Sequence, residues 1–137
     1  MPFILVHDDI TKIKVDAIVN AANTQLIEGG GVCGAIFRSA GASLLQKACD
    51  ALSPISTGNV AITPAFNLPS TYIIHAVGPI FKQGETEGDT LLASCYTKSL
   101  YLAKEKGIES IAFPLISAGI YGYPTYRAYR IAVSAIQ

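Results

Sequence analysis

Residues 15–37 decide the fold, and they read VDAIVNAANTQLIEGGGVCGAIF. At the start of this stretch, residues 17–19 are an apolar run that includes β-branched side chains, which predicts a buried strand. At its end, residues 32–39 have the apolar spacing that is typical of a helix. Between the two lie a polar segment and three consecutive glycines, Gly29, Gly30 and Gly31. The stretch therefore predicts a strand, a glycine-rich loop and a helix, in that order.

The rest of the chain continues this alternation of strands and helices. Apolar, β-rich runs predict strands at residues 3–6, 60–63, 72–77 and 110–113. Helical spacing predicts helices at residues 43–52 and 90–106, and Gly107 is a typical residue to end the second of them. Strands that alternate with helices favour a mixed or mostly parallel sheet with helices on both faces. We therefore expect a layered α/β fold.

Composition limits the protein to a few classes. The chain has 137 residues, of which 50% are hydrophobic, and this suits one domain with a real core, residues 1–137. Its formal net charge is zero and its basic residues are scattered, so a nucleic-acid partner is not indicated. No apolar run approaches the roughly 20 residues that a bilayer span needs, so we expect no membrane association. Three cysteines without a CxxC pattern favour free thiols in a reducing compartment, and hence a cytoplasmic protein.

The glycine loop, which we define as Gly29, Gly30 and Gly31, is a candidate phosphate site. Glycines let the backbone approach a ligand closely, and the N-terminus of a helix offers free N–H groups to an anion. Gly29, Gly31 and Gly34 fit the pattern G-x-G-x-x-G, but a long polar segment separates them from the preceding strand, which argues against a dinucleotide-binding motif. No Gly-Lys-Ser/Thr occurs, which excludes a P-loop. A glycine-rich turn without a ligand stays the alternative.

A second loop of the same kind occurs near the end of the chain. We define the second loop as residues 117–122, which read SAGIYG and follow the predicted strand at residues 110–113. Ligands of α/β sheets bind beyond the carboxyl ends of the strands, which is where both loops are expected. Two glycine-bearing loops that face each other can hold a diphosphate with backbone amides alone. The neutral composition is then no objection to an anionic ligand.

Five motifs in the same order and spacing resemble the macro domain family. They are DIT at residues 9–11, VDAIVNAAN at 15–23, GGGV at 29–32, HAVGP at 75–79 and SAGIYG at 117–122. The resemblance implies a three-layer α/β/α fold with a mixed, mostly parallel central sheet, and it implies ADP-ribose and mono-ADP-ribosylated proteins as partners. Family members usually continue with another strand and helix after the last helical run, whereas this sequence stops at Gln137 within that run. We therefore expect a domain shortened at its C-terminus, without the strand that helps to enclose the adenine.

The resemblance also implies a role for each residue of the site. Asp9 accepts a hydrogen bond from the adenine amino group, with the backbone of Ile10 beside it, and Asn23 holds the distal ribose. The two walls of the diphosphate site are, first, Gly29, Gly30, Gly31 and Val32, and second, Ser117, Ala118, Gly119, Ile120 and Tyr121. Tyr121 is expected to pack beside the distal ribose. From the residues alone, Asp9 is also a candidate helix or turn cap, and Asn23 a candidate turn residue.

The reaction is less well defined than the ligand. Hydrolytic members of the family often have Asp in place of Cys33 and His in place of Phe37, and this sequence has neither. Its resemblance to hydrolases that lack the acid implies that the ligand's own phosphate orients the attacking water while Asn23, as the catalytic residue, fixes the ribose. Such an enzyme would release ADP-ribose from modified acidic side chains, or acetate from O-acetyl-ADP-ribose. A non-catalytic ADP-ribose reader is the alternative.

The cysteines and histidines offer weaker chemistry. Cys33 lies at the start of a predicted helix and is a candidate nucleophile, although it is expected to line the ribose pocket instead. His75 lies in an apolar run and is expected to be a hydrogen-bonded core residue. The spacing of these residues matches no zinc site, so the sequence implies neither a metal nor another cofactor.

Overall fold

The computed structural model of the chain describes residues 3–137. A short 3-10 helix, Ile10–Lys12, precedes the first strand. The strands and α-helices then follow in the order β1 Ala17–Ala22, α1 Gly31–Ala40, α2 Ala42–Asp50, β2 Val60–Pro64, β3 Tyr72–Val77, α3 Glu87–Glu105, β4 Ile111–Ala112 and α4 Thr125–Ile136. The predicted strands at residues 17–19, 60–63 and 72–77, and all the predicted helices, are thereby confirmed, with shifts of a few residues at their ends.

The four strands form one sheet in the order β2-β3-β1-β4. β1 pairs in parallel with β3 on one side, where Asn20 lies opposite His75, and with β4 on the other, where Ala17 lies opposite Ile111. β2 pairs with β3 in the antiparallel sense. The sheet is therefore mixed and mostly parallel, as predicted. Because β1, β3 and β4 run the same way, their carboxyl ends lie along one edge of the sheet.

Helices cover both faces of the sheet, because successive side chains of each strand point to opposite faces. Ile18 of β1 packs in a buried cluster with side chains of α1 and α2, such as Phe37 and Leu45. The next residue, Val19, packs in a second cluster with side chains of α3 and α4, such as Tyr96. This arrangement is the three-layer α/β/α fold that the sequence predicts.

Two strand predictions need correction. Residues 3–6 form no strand; they are irregular, and Ile4 and Leu5 are 86% and 74% exposed. An apolar run becomes a strand only when a neighbouring strand satisfies its backbone groups, and among residues 3–137 no strand pairs with this segment. The strand predicted at residues 110–113 is reduced to Ile111–Ala112, because Pro114 has no N–H to continue the ladder.

Glycines with a positive φ mark the ends of two helices. Gly41, with φ at 109°, separates α1 from α2. Gly107, with φ at 70°, follows the end of α3, in agreement with the prediction from sequence. Within residues 3–137, no helix combines the length and the apolar composition that crossing a bilayer requires.

Candidate functional site

A cleft of about 580 Å³ opens at the carboxyl edge of the parallel strands. This volume lies in the range of small-molecule sites, and the position is the one expected for an α/β sheet. The cleft is lined by Ala21, Ala22, Asn23, Gly29, Gly30, Gly31, Val32, Cys33, Gly78, Pro114, Leu115, Ile116, Ser117, Ala118, Gly119, Ile120 and Tyr121. The structure therefore brings the glycine loop and the second loop together across one cavity, although they are far apart in the sequence.

One wall of the cleft is the N-terminus of α1. The helix begins at Gly31, which has φ at 55°, a conformation that disfavours other residues. Its N-cap is Gly30, and no side chain in the described part of the chain caps the helix. The N–H groups of the first turn are therefore free of intrahelical and side-chain partners and can donate to an anion in the cleft.

Gly34 has a packing role behind this wall. A Cβ at this position would collide with the carbonyl oxygen of Gly29 and would lie 2.9 Å from a guanidinium nitrogen of Arg38. The third glycine of G-x-G-x-x-G thus lets the glycine loop lie directly on the helix. The G-x-G-x-x-G pattern is therefore explained by this close packing of the loop on the helix, and it does not require a dinucleotide-binding motif.

The opposite wall is the second loop, held in an unusual backbone conformation. Ser117 has φ at 68° and Gly122 has φ at 77°. Tyr123 N donates to Ser117 O at 2.9 Å, and Gly122 N donates to Gly119 O at 3.0 Å, so the loop folds back on itself. These turns direct residues 118–121 towards the glycine loop.

The two walls approach each other at the mouth of the cleft. The Cδ1 atom of Ile120 lies 3.0 Å from the position that a Cβ of Gly30 would occupy, and 4.0 Å from that of Gly31. Ile120 is nevertheless 77% exposed, because nothing covers its outer side. A side chain larger than hydrogen at Gly30 would therefore press against Ile120.

Asn23 lines the cleft and also braces the neighbouring loop. Its Nδ2 donates to Ile27 O at 2.9 Å, and Ile27 N donates to its Oδ1 at 3.1 Å. The turn role that the sequence left open is therefore present. An amide has two N–H donors and two acceptor lone pairs, so one donor and one acceptor of Asn23 are left for a ligand.

Asp9 and Ile10 are not among the residues that line this cleft. Asp9 caps the short 3-10 helix, because its Oδ1 accepts from Thr11 N at 3.0 Å and from Thr11 Oγ1 at 2.7 Å. These hydrogen bonds lower the pKa of the Asp9 carboxyl. The capping alternative is therefore realised, and the adenine-binding role of Asp9 and Ile10 stays a prediction.

Cys33 belongs to a chain of buried polar side chains that runs from the cleft into the core. Its thiol is 3.7 Å from Ile27 O and accepts from Asn20 Nδ2 at 3.7 Å. The same Asn20 nitrogen lies 3.1 Å from His75 Nδ1. The side chain of Asn20 therefore links Cys33 to His75, although the two residues are far apart in the sequence.

His75 is a core residue, as the sequence indicates. It is fully buried, and Thr63 Oγ1 lies 3.0 Å and Cys49 Sγ 3.8 Å from its Nε2 atom. Burial lowers the pKa of His75 to about 4 and raises the pKa of Cys49 to about 11. Both groups are therefore uncharged at neutral pH, and neither is available as an acid or base in the cleft.

The cleft is uncharged along its whole described lining, since none of the residues that line it is Lys, Arg, Asp, Glu or His. In residues 3–137, no group of three or more His, Cys, Asp or Glu side chains is placed to hold a metal ion. An anion in this cleft would therefore be bound by backbone N–H groups, the helix dipole and the few hydroxyl and amide side chains.

Several lining residues were missed by the interpretation of the sequence. Gly78 is the clearest case: a Cβ there would collide with Ser117 Oγ and with Ile116, so the glycine allows the second loop to reach the sheet. The signal was a glycine directly after β3, the parallel neighbour of β1. Ala21, Ala22, Pro114, Leu115 and Ile116 carry no comparable signal, because they are ordinary apolar residues that the fold happens to expose to the cavity.

Together, the fold and the cleft define an α/β/α domain that has a small-molecule cavity at the carboxyl edge of a mixed sheet. The Macro domain family model matches residues 19–132, which is most of the sequence. The chain therefore belongs to the macro domain family.

Relatives and solved structures agree with this assignment. A macro domain-containing protein of Methanosarcina mazei is 55% identical over 129 residues, which cover 94% of this chain and 68% of the relative. One from Ralstonia nicotianae is 54% identical over 94% of this chain and 75% of its own length. The Oceanobacillus iheyensis macrodomain with ADP has a TM-score of 0.89 at 48% identity, covering 94% of this chain and 71% of that one. The Trypanosoma brucei macrodomain in complex with ADP-ribose has a TM-score of 0.85 at 41% identity, covering 93% and 53%.

Proposed function

We propose that this domain binds ADP-ribose in the cleft between the glycine loop and the second loop. The observation that carries the proposal is the uncapped N-terminus of α1, which opens into the cleft opposite a second loop with glycines. Two such elements offer N–H groups to both sides of a diphosphate. The complex of the similar Trypanosoma brucei macrodomain with ADP-ribose supports the same ligand.

The position of each lining residue suggests how the ligand lies. In the proposed complex, the diphosphate lies between the first turn of α1 and the backbone of Ser117 to Tyr121. The distal ribose lies beside Asn23, whose remaining donor and acceptor match hydroxyls that each donate and accept. Tyr121 lines the same cavity, and in this proposal it packs beside the sugar.

We further propose that the domain is a hydrolase that removes ADP-ribose from modified acidic side chains or acetate from O-acetyl-ADP-ribose. An uncharged cleft supplies positioning and oriented dipoles, with no carboxylate to activate water. The ligand's own phosphate is then the group that orients the water, while Asn23 holds the ribose. The same lack of a carboxylate or a histidine in the described lining also favours the second candidate, a reader that binds without turnover.

Calorimetric titration with ADP-ribose, AMP and NAD tests the ligand. Gly119→Glu is the informative variant, because a Cβ at Gly119 meets no atom within 4 Å in the described structure and the backbone there needs no glycine. The protein should keep its fold, while the new charge repels the diphosphate and lowers the affinity for ADP-ribose at least tenfold.

The matched control is Thr97→Glu, which adds the same charge on the exposed side of α3, away from the cleft. It should leave the affinity for ADP-ribose within twofold of the wild type. No binding of ADP-ribose by the wild-type protein, or equal binding by the wild type and Gly119→Glu, would contradict the proposed ligand site.

Release of ADP-ribose from an automodified protein, followed by mass spectrometry, separates hydrolase from reader. For a hydrolase, Asn23→Ala should lower the rate of release at least tenfold more than it lowers the affinity for free ADP-ribose, because lost orientation of the ribose raises the barrier of the reaction. Binding without any release by the wild-type protein would establish the reader instead.

A further inference from the structure

Residues 24–28 join Asn23 to the glycine loop without helix or strand, and side chains hold their backbone in place. Asn23 binds both the N–H and the carbonyl of Ile27. The residues on either side of Ile27 are held by Gln46, which lies on α2 and is not one of the residues that line the cleft. Three consecutive residues are thus fixed by two amide side chains.

Gln46 makes three hydrogen bonds through its side chain. Its Oε1 accepts from Glu28 N at 3.0 Å, and its Nε2 donates to Leu26 O at 3.0 Å. The same nitrogen donates to Asp50 Oδ1 at 2.9 Å, one turn further along α2. An ionised carboxylate only accepts hydrogen bonds, so Asp50 determines which end of the amide is the nitrogen. Gln46 is thereby oriented to accept from Glu28 and donate to Leu26.

The segment needs such support because its backbone is strained. Leu26 has φ at 53° and is buried in the core against α1 and α2. A left-handed conformation is unfavourable for a residue other than glycine. The strain persists only where neighbouring contacts fix the conformation. The hydrogen bonds from Gln46 act on the carbonyl of Leu26 itself and on the residue directly before Gly29.

We propose that Gln46 is a positioning residue of the cleft, which holds residues 26–28 and thereby sets the place of the glycine loop. The Gly29 carbonyl lies on Gly34, and the next residues form the first turn of α1, so a displaced Glu28 displaces the N–H groups that face the cavity. The inference rests on the proposed binding of ADP-ribose for its effect on affinity. Its effect on the loop is independent of any ligand.

The test compares Gln46→Leu, which keeps the size of the side chain and removes all three hydrogen bonds, with Lys47→Leu, an equal apolar change at the next, exposed position of α2. Hydrogen exchange of the ligand-free protein, read by mass spectrometry, should show at least tenfold faster exchange in residues 26–33 of Gln46→Leu. Exchange in residues 117–122 and in β3 should stay as in the wild type. Lys47→Leu should match the wild type in every segment.

Affinity for ADP-ribose gives the second measurement. Gln46→Leu should bind ADP-ribose at least tenfold more weakly, and Lys47→Leu within twofold of the wild type. Gln46→Glu should be as weak as Gln46→Leu, because a carboxylate cannot donate to Leu26 O and faces Asp50. Adding Asp50→Asn to Gln46→Glu should restore part of the affinity, since an amide at position 50 donates to the introduced carboxylate. A residue with only a general packing role gives no such rescue.

Unchanged exchange in residues 26–33 of Gln46→Leu would overturn the proposal, and so would affinity within twofold of the wild type. If Gln46→Leu exchanges faster throughout the chain, the milder Asp50→Ala decides, because it removes only the acceptor that orients the Gln46 amide. Faster exchange confined to residues 26–33 is the expected result, and uniform or unchanged exchange is the contrary one. A wild-type protein that does not bind ADP-ribose refutes the proposed function alone, because the exchange measurement still decides the role of Gln46.

Discussion

Cys33 lies in the wall of the cleft, between a loop carbonyl and a buried amide side chain. Its thiol is 7% exposed and lies between Asn20 Nδ2 and Ile27 O, both at 3.7 Å. No acid or base of the described lining is placed beside it. The sulfur therefore fills a space between the cleft and the buried polar side chains.

We predict that Cys33→Ala keeps most of the activity in the release of ADP-ribose, because it removes only packing. Measured at saturating substrate, Cys33→Asp should maintain or raise that activity, since an added carboxylate beside the ribose can order a water. The same charge near the diphosphate should lower the affinity for ADP-ribose. Rates of release and calorimetric affinities measured on both variants distinguish a catalytic role of the Cys33 thiol from a packing role. Complete loss of turnover in Cys33→Ala with unchanged affinity, together with a thiol adduct in the wild type, would identify Cys33 as the nucleophile.

His75 gives the stability of the protein a defined dependence on pH. Burial lowers its pKa from 6.5 to about 4, so between these pH values the unfolded chain takes up a proton that the folded protein does not. The contribution of neutral His75 to the free energy of unfolding is therefore fully present well above pH 6.5, and it is lost as the pH falls from 6.5 towards 4. The groups facing the ring are Asn20, Thr63 and the Cys49 thiol, none of which changes charge in this window.

We predict a loss of about 2 kcal/mol from this residue between pH 7 and pH 5, measured as the free energy of unfolding in urea. His75→Gln keeps a polar side chain without the titration, so its stability should fall by about 2 kcal/mol less than that of the wild type over the same interval. Carboxylates such as Asp9 are present in both proteins, so their contribution to the pH dependence cancels in the comparison. Equal losses in the two proteins would refute the assignment.

The elements around the second loop hold it from outside the cleft. Tyr123, directly after this loop, donates its hydroxyl to Asp89 Oδ1 of α3 at 2.7 Å. Arg127 of α4 binds both oxygens of Asp89, with its closest contact at 2.7 Å, and lies over the ring of Phe81. The hydrogen bonds of Arg127 and then Tyr123 lower the pKa of Asp89, and burial followed by Asp89 raises the pKa of Tyr123 to about 12. Two helices and the loop thus meet at one carboxylate.

We predict that Tyr123→Phe lowers the free energy of unfolding by about 1.5 kcal/mol, because it removes one hydrogen bond to a charged, partly exposed acceptor and keeps the ring. The ring of Phe81 packs edge to face at 5.1 Å from Tyr123 and should hold the loop in place, so affinity for ADP-ribose should fall by less than threefold. Tyr72→Phe, which removes a hydroxyl at the start of β3, is the comparison variant. A tenfold loss of affinity would show instead that the hydroxyl itself positions the loop.

The sequence predicts a strand correctly where the apolar pattern of the segment coincides with a neighbouring strand that pairs with it. The sequence predicts β3 with both of its ends, because the mostly apolar run lies between Thr71 and a Gly-Pro pair that favours a turn. The strand is also paired on both sides. Residues 3–6 have an equally apolar pattern, but a strand also depends on a partner, which a local pattern does not encode. β4 keeps only two of the four residues predicted, because its pairing to Ala17 and Ile18 ends before Pro114.

Whole-molecule charge gives the cleft a distinctive response to salt. The chain has a formal net charge of zero, and the described lining of the cleft carries no charged side chain. Backbone dipoles act over short distances, and binding through them releases few counterions. A site built on lysine or arginine would instead weaken steeply as salt rises.

We predict that the dissociation constant for ADP-ribose changes by less than about threefold between 50 and 500 mM sodium chloride. Calorimetry across this range measures it, with sodium acetate as a second salt to exclude an effect of chloride. A weakening of more than tenfold would show that charged side chains outside the cleft contribute to binding.

At the scale of the whole molecule, the sequence predicts that the two loops meet at one edge of the sheet, because the topology of parallel strands brings their carboxyl ends together. It could not supply the contacts that depend on distant packing. Gly78 against Ser117, and His75 beside Asn20, each join residues from different strands and loops. The position of Asp9, outside the cleft as a cap of its own short helix, is likewise a property of the folded chain.

The parallel pairing of β1 with β3 and β4 also determines when the cleft can exist during synthesis. A ribosome releases the chain from its N-terminus at about 5–20 residues per second. β1 and the glycine loop leave the tunnel first, but β1 has no partner until Tyr72–Val77 emerges, and the far wall waits for Tyr123. Only one wall of the cleft is therefore present on a nascent chain for several seconds. A ligand could then occupy the complete cleft only after the ribosome has synthesised the second loop and released it from the tunnel.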